Sequence, residues 1–129
     1  METIEFINNA PGAPKPVGPY SQAVSVGGTI YCSGQIGIDP NSGAIVAGGV
    51  EAELRQVLAN LKAVLSGAGS SPDKVVMASI FLTNIADGKI VNPIYGEFVN
   101  QQNPPARQTV AVKDLPLGAL VEISVIAVR

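Results

Sequence analysis

The run from Ala119 to Val128 constrains the fold more than any other stretch of the chain. Successive side chains of a strand point to opposite faces, so Val121, Ile123, Val125 and Ala127 share one face and Leu120, Ile126 and Val128 the other. Both faces are apolar, and a sheet built around this strand must be covered twice. At 129 residues the chain suits one domain (1–129) around a single core. Two helices in so short a chain cover one face only. The second face is expected to meet another copy, because soluble monomers rarely expose such a patch.

The remaining elements follow from periodicity and turn chemistry. Ile4 to Ile7 reads as a short strand, followed by an irregular segment holding Pro11, Pro14, Pro16 and Pro19. Ala23 to Val26 and Thr29 to Ser33 form a hairpin around Gly27-Gly28, where two glycines supply the positive φ of a tight turn. Gly37 to Gly49 reads as a loop. From Val50 to Leu65 apolar residues recur at three- and four-residue steps, an amphipathic helix that Gly67 and Gly69 should stop. Val75 to Leu82 is a central strand. A second helix carries Ile94, Tyr95 and Phe98, with Asn92-Pro93 expected as the cap and first turn of its regular part. Ala106 to Val112 and Ala119 to Val128 complete the order β-β-β-α-β-α-β-β. This is an α+β domain with both helices on one face of a mixed sheet.

Composition narrows the chemistry. Eight Lys and Arg stand against ten Asp and Glu, with no basic cluster, which is poor support for a nucleic-acid partner. The absence of histidine excludes a Ser-His-Asp triad and a His-ligated metal, leaving Asp, Glu, Tyr, Lys, a thiol or bound water for proton transfer. No metal-ligand cluster and no phosphate-binding glycine spacing occurs. Cys32 is the single cysteine, so no intrachain disulfide forms. The N-terminal residues lack a secretory pattern and no apolar run reaches membrane-spanning length, so a cytoplasmic protein is expected.

Five positions stand out. Arg107, two residues after Pro104-Pro105, offers a planar fork for a carboxylate, or else a salt bridge at a strand end or subunit interface. Spacing alone leans to the latter. Glu122, inside the most apolar strand, is either paired or raised in pKa, and a proton-handling role and a structural ion pair (with Arg107 itself, for example) stand level. Tyr20 follows a rigid loop and can present its hydroxyl to a cleft, although a half-buried packing role is the commoner one. Ser33-Gly34 ends a strand, where glycine permits close approach of a ligand or simply makes a turn. Cys32 alternates with Ser33 and is expected to be buried and inert.

Taken together, Gly18-Pro19-Tyr20-Ser21-Gln22, Ser33-Gly34-Gln35-Ile36, Val91-Asn92-Pro93-Ile94-Tyr95, Pro105-Ala106-Arg107 and Val121-Glu122-Ile123 resemble the RidA/YjgF family of enamine/imine deaminases. That family is also called endoribonuclease L-PSP or translation inhibitor. The resemblance spans nearly the whole chain. It implies a chorismate-mutase-like fold assembled as a homotrimer with clefts between subunits. It also implies hydrolysis of 2-iminobutanoate and 2-iminopropanoate, the latter from 2-aminoacrylate, to 2-keto acids and ammonia, with no metal or organic cofactor. Arg107 matches the carboxylate-binding arginine and Glu122 the water-handling glutamate. Tyr20, Ser33, Gly34 and Asn92 match further cleft positions, Tyr20 and Ser33 as proton relays. Thr109 stands where many relatives have cysteine, which removes any thiol chemistry at that substrate-facing position. Two other readings remain at this point: a regulatory trimer that only binds keto acids, and a ribonuclease, which this acidic, histidine-free chain suits poorly.

Overall fold

A computed structural model describes residues 2–129. Six strands form one sheet: β1 (Ile4–Ile7), β2 (Ala23–Val26), β3 (Thr29–Gln35), β4 (Val75–Leu82), β5 (Ala106–Ala111) and β6 (Val121–Val128). Their spatial order is β1-β2-β3-β6-β4-β5, antiparallel except for the parallel pair β4–β5. Helices α1 (Gly49–Gly67) and α2 (Gly88–Phe98) pack on one face. The chain is therefore α+β with two helices on a mixed sheet, as the periodicity implied.

β6 occupies the centre, between β3 and β4, which is why its sequence is the most apolar. Val121, Ile123, Val125 and Ala127 are buried against Leu54, Val57, Leu61, Val64 and Leu65 of α1 and their neighbours. The period-2 partners of those residues point away from the helices. Register places Phe6, Val24, Tyr31, Ile126 and Met77 side by side across that open face, with Phe81 and Val110 adjacent further along. Phe6 is 66 % exposed and Tyr31 48 %, so the chain leaves one sheet face apolar and uncovered.

Local expectations needed three corrections. The second helix begins at Gly88, placing Pro93 inside it instead of in its first turn. The carbonyl that loses its donor there belongs to Lys89, an exposed residue, so the missing bond costs little. Gly67 does not stop α1 but lies in its last turn, where a Cβ would come within 2.6 Å of Ala10 Cβ; glycine lets the chain after β1 cross the helix closely. β3 extends to Gln35 through a bulge, since Cys32 pairs with Val125 and Gln35 with Ile123.

Among the described residues no helix is long and apolar enough to cross a membrane.

Candidate functional site

The bulge in β3 builds one half of the site. Three residue steps on β3 face two on β6, so Cys32 and Gln35 both point into the core and Ser33-Gly34 bow out on the open side. Glu122, between buried Val121 and Ile123, projects to that same side. Gly34 passes beneath its carboxylate: a Cβ there would lie 2.8 Å from Glu122 Oε2. Removal from water raises the Glu122 pKa above the ordinary carboxylate value. No cation pairs with it; among the described residues the ion pairs are Arg55–Glu51 and Arg129–Glu5.

The Pro-rich segment forms the wall facing Glu122, and one buried side chain holds it. Gln22 Oε1 accepts from Ala10 N–H at 3.0 Å, its Nε2 donates to the Pro14 carbonyl at 2.7 Å, and its own N–H donates to Asn8 Oδ1 at 3.1 Å. Tyr20 is then placed in the open, its hydroxyl accepting from Val17 N–H at 3.4 Å. Ser33 Oγ donates to the Ser21 carbonyl at 2.6 Å, which leaves the oxygen's lone pairs for a ligand proton. Tyr20, Ser33, Gly34 and Glu122 line a single cavity of about 810 Å³, together with Ile36 and Leu117.

Arg107 is elsewhere. It pairs in register with Ala78, whose side chain is buried beneath the helices, so it projects to the helix-bearing face of the sheet while Glu122 projects to the other. The structural ion pair between them is thereby excluded within one chain. α2 fixes its direction: Asn92 and Tyr95, three residues apart on one helix face, meet the guanidinium together. Arg107 Nη1 donates to Asn92 Oδ1 at 2.8 Å, and its Cζ lies 5.3 Å from the Tyr95 ring centroid. Burial raises the Tyr95 phenol pKa, with the Arg107 charge acting in the opposite sense. The guanidinium is exposed, and among the described residues no carboxylate lies within ion-pair distance of it. Asn92 and Arg107 line a second cavity of about 400 Å³.

Thr109 joins neither cavity. Its Oγ1 is buried without a hydrogen-bond partner, as is the Tyr95 hydroxyl. Cys32 is buried, and desolvation pushes its thiol up to about 12, far from a reactive thiolate.

The endoribonuclease L-PSP family model matches residues 10–129. The chain belongs to that family. Relatives of this L-PSP protein include a RutC family protein of Sulfurisphaera tokodaii, 50 % identical over 114 residues, covering 88 % of this chain and 90 % of the relative. The human 2-iminobutanoate/2-iminopropanoate deaminase is 46 % identical over 120 residues, covering 93 % of this chain and 85 % of the human protein. A crystal structure of a Rid family protein of unknown function from Yersinia pestis superposes with a TM-score of 0.93 at 46 % identity, covering 98 % of this chain and all of that one. The RidA/YjgF resemblance carried by the five motifs is therefore met along the whole fold.

Gln22 and the Pro116–Gly118 turn were missed as contributors to the site. Gln22 sat in a recognised motif, but only its burial reveals that it anchors the cavity wall. Leu117 carried no chemical signal at all.

Proposed function

We propose that this L-PSP protein is a homotrimeric deaminase of 2-imino acids, with each cleft completed by two chains. One copy supplies Tyr20, Ser33, Gly34 and Glu122, and the next supplies Arg107 and Asn92. The observation that carries this reading is the unpaired Glu122 carboxylate over Gly34, at the edge of an apolar sheet face that one chain leaves uncovered. Seating another copy on that face would satisfy the apolar surface. It would also give the free Arg107 fork a route to the Glu122 cleft. The deaminase name of the human relative supports the same chemistry.

The division of labour follows from charge and geometry. Arg107 holds the substrate carboxylate by two parallel hydrogen bonds, with Asn92 and Tyr95 fixing the plane of its fork. That anchors C2 of the imino acid beside Glu122, making the water attack an oriented step. The Glu122 carboxylate takes a proton from water as its oxygen bonds to C2, and delivers it, through Ser33 or Tyr20, to the nitrogen that receives the C=N electron pair. The resulting carbinolamine collapses by the same route: Glu122 takes the hydroxyl proton as C=O forms and the C–N bond breaks, and returns it to the departing nitrogen as ammonia. Imino acid and water become 2-keto acid and ammonia. A raised carboxylate pKa suits a group that must both accept and return a proton near neutrality. Thr109 shares the Arg107 side of β5, with its Oγ1 covered within one chain, and carries no proton in this scheme.

The test generates 2-iminopropanoate in situ from serine with a dehydratase and follows the surviving imine by trapping. Acceleration over buffer is expected. Its absence with correctly assembled protein would refute the deaminase reading.

A further inference from the structure

Leu117 is the one non-glycine residue at positive φ among the described residues (φ 56°, ψ 24°), and Gly118 beside it has φ 70°. Ala119 donates its N–H to the Pro116 carbonyl at 3.1 Å, closing a tight turn over the pair. Two successive positive φ values under such a bond are the pattern of a type I′ turn, which favours Asn-Gly; a branched apolar residue at its first central position is strained. Burial does not repay that strain, because Leu117 is 70 % exposed and outside the core.

What the turn accomplishes is to hold an apolar side chain at the cleft. Leu117 lines the same cavity as Glu122, with Ile36 and Ile38 also on its wall. Both banks are fixed from behind by buried polar residues of α1. Glu53 Oε1 accepts from Leu120 N–H at 2.8 Å, at the end of the Leu117 loop. Asn60 Nδ2 donates to the carbonyls of Ile36 and Ile38 at 3.3 and 2.9 Å. The cavity of about 810 Å³ far exceeds what a three-carbon acid fills.

We propose that Leu117 is a specificity-determining residue: its strained turn presents an apolar wall, shared with Ile36 and Ile38, that receives the substrate's side chain and favours 2-imino acids with branched aliphatic groups. This rests on the deaminase reading of the cleft.

The experiment generates the imines of alanine and leucine in situ with an L-amino acid oxidase and catalase, and compares the full-length wild type with Leu117→Asn and Leu117→Gly. The wild type should handle the leucine-derived imine at least as well as the alanine-derived one. The ratio of kcat/KM, leucine-derived over alanine-derived, should fall about tenfold in both variants, the low end for a lost apolar contact. Leu117→Asn should also melt higher than the wild type, since asparagine suits the turn, an outcome opposite to that of a packing residue. An unchanged ratio in Leu117→Asn would overturn the proposal, as would a smaller assembly by light scattering, which would make Leu117 an interface residue. A wild type inactive on both imines would instead remove the deaminase reading on which the proposal stands.

Discussion

Gly34 and Glu122 pack so closely that a side chain at position 34 displaces the carboxylate: a Cβ there would lie 2.8 Å from Glu122 Oε2 and 2.9 Å from its Cδ. The group that must yield is the far end of a flexible side chain, so the fold survives the insult while the carboxylate moves. Gly34→Ala is therefore expected to cost little stability yet lower kcat by about 10²-fold, the scale of an ångström misplacement at a reacting centre. Thermal melts alongside single-substrate kinetics check both halves, and a variant with wild-type kcat would mean that Glu122 does not handle the water.

The raised pKa of Glu122 makes its own prediction about pH. A carboxylate whose folded pKa lies above its unfolded value favours folding fully when protonated in both states, and that advantage is lost as pH rises through the folded pKa. Glu122→Gln should accordingly stabilise the protein at pH 7, with the gain disappearing below the ordinary carboxylate range. Activity should be lost in the same variant. The acid limb of the wild-type kcat/KM profile should lie above the usual carboxylate pKa. Melting curves of both proteins across this range test the sign.

Asn60 predicts a coupling between core and cleft. It is fully buried, and its Nδ2 donates to the carbonyls of Ile36 and Ile38. Asn60→Ala leaves these acceptors without their donor, a cost of about 1–3 kcal/mol. The Gly37 loop should loosen as a result, seen as faster amide exchange of Val46, whose N–H donates to the Gly37 carbonyl.

Most of the fold was legible because periodicity reports it directly: β4 runs from Val75 to Leu82 as the β-branched run implied, and the α1 stripe faces the β6 residues with matching period. Pro93 was misplaced because a proline at a first turn and one tolerated inside an exposed helix look alike in sequence. The site was legible only in part. Glu122, Ser33, Gly34 and Tyr20 stand in recognisable motifs and share a cavity, whereas the bulge that aims Ser33-Gly34 depends on register between distant strands. Leu117 was invisible, since a Pro-Leu-Gly loop does not announce a left-handed leucine.

The planar fork of Arg107 is held by one hydrogen bond to Asn92 and by the Tyr95 ring. Arg107→Lys keeps the charge but loses the second parallel donor, and lysine does not reproduce the stacking. A loss of roughly 1.5–3 kcal/mol in kcat/KM is expected, the value of one hydrogen bond to a charged group. The effect should appear mainly in KM, and competition by 2-keto acids should weaken in parallel.

The opposite orientation of Arg107 and Glu122 yields the most decisive prediction. If each cleft takes Glu122 from one copy and Arg107 from the next, Arg107→Ala and Glu122→Gln should each be inactive alone and should rescue one another when co-assembled. A cleft is intact when its Glu122 comes from the first variant and its Arg107 from the second, which in any mixed trimer, two copies of one variant and one of the other, holds for about one cleft in three. Co-expression with two different tags, tandem purification and imine trapping give the measurement. Recovery near that fraction requires a shared site, because no chain in the mixture carries both residues. Failure to recover, in heteromers shown to form, would place both groups at the service of one chain and contradict the opposed faces on which they stand.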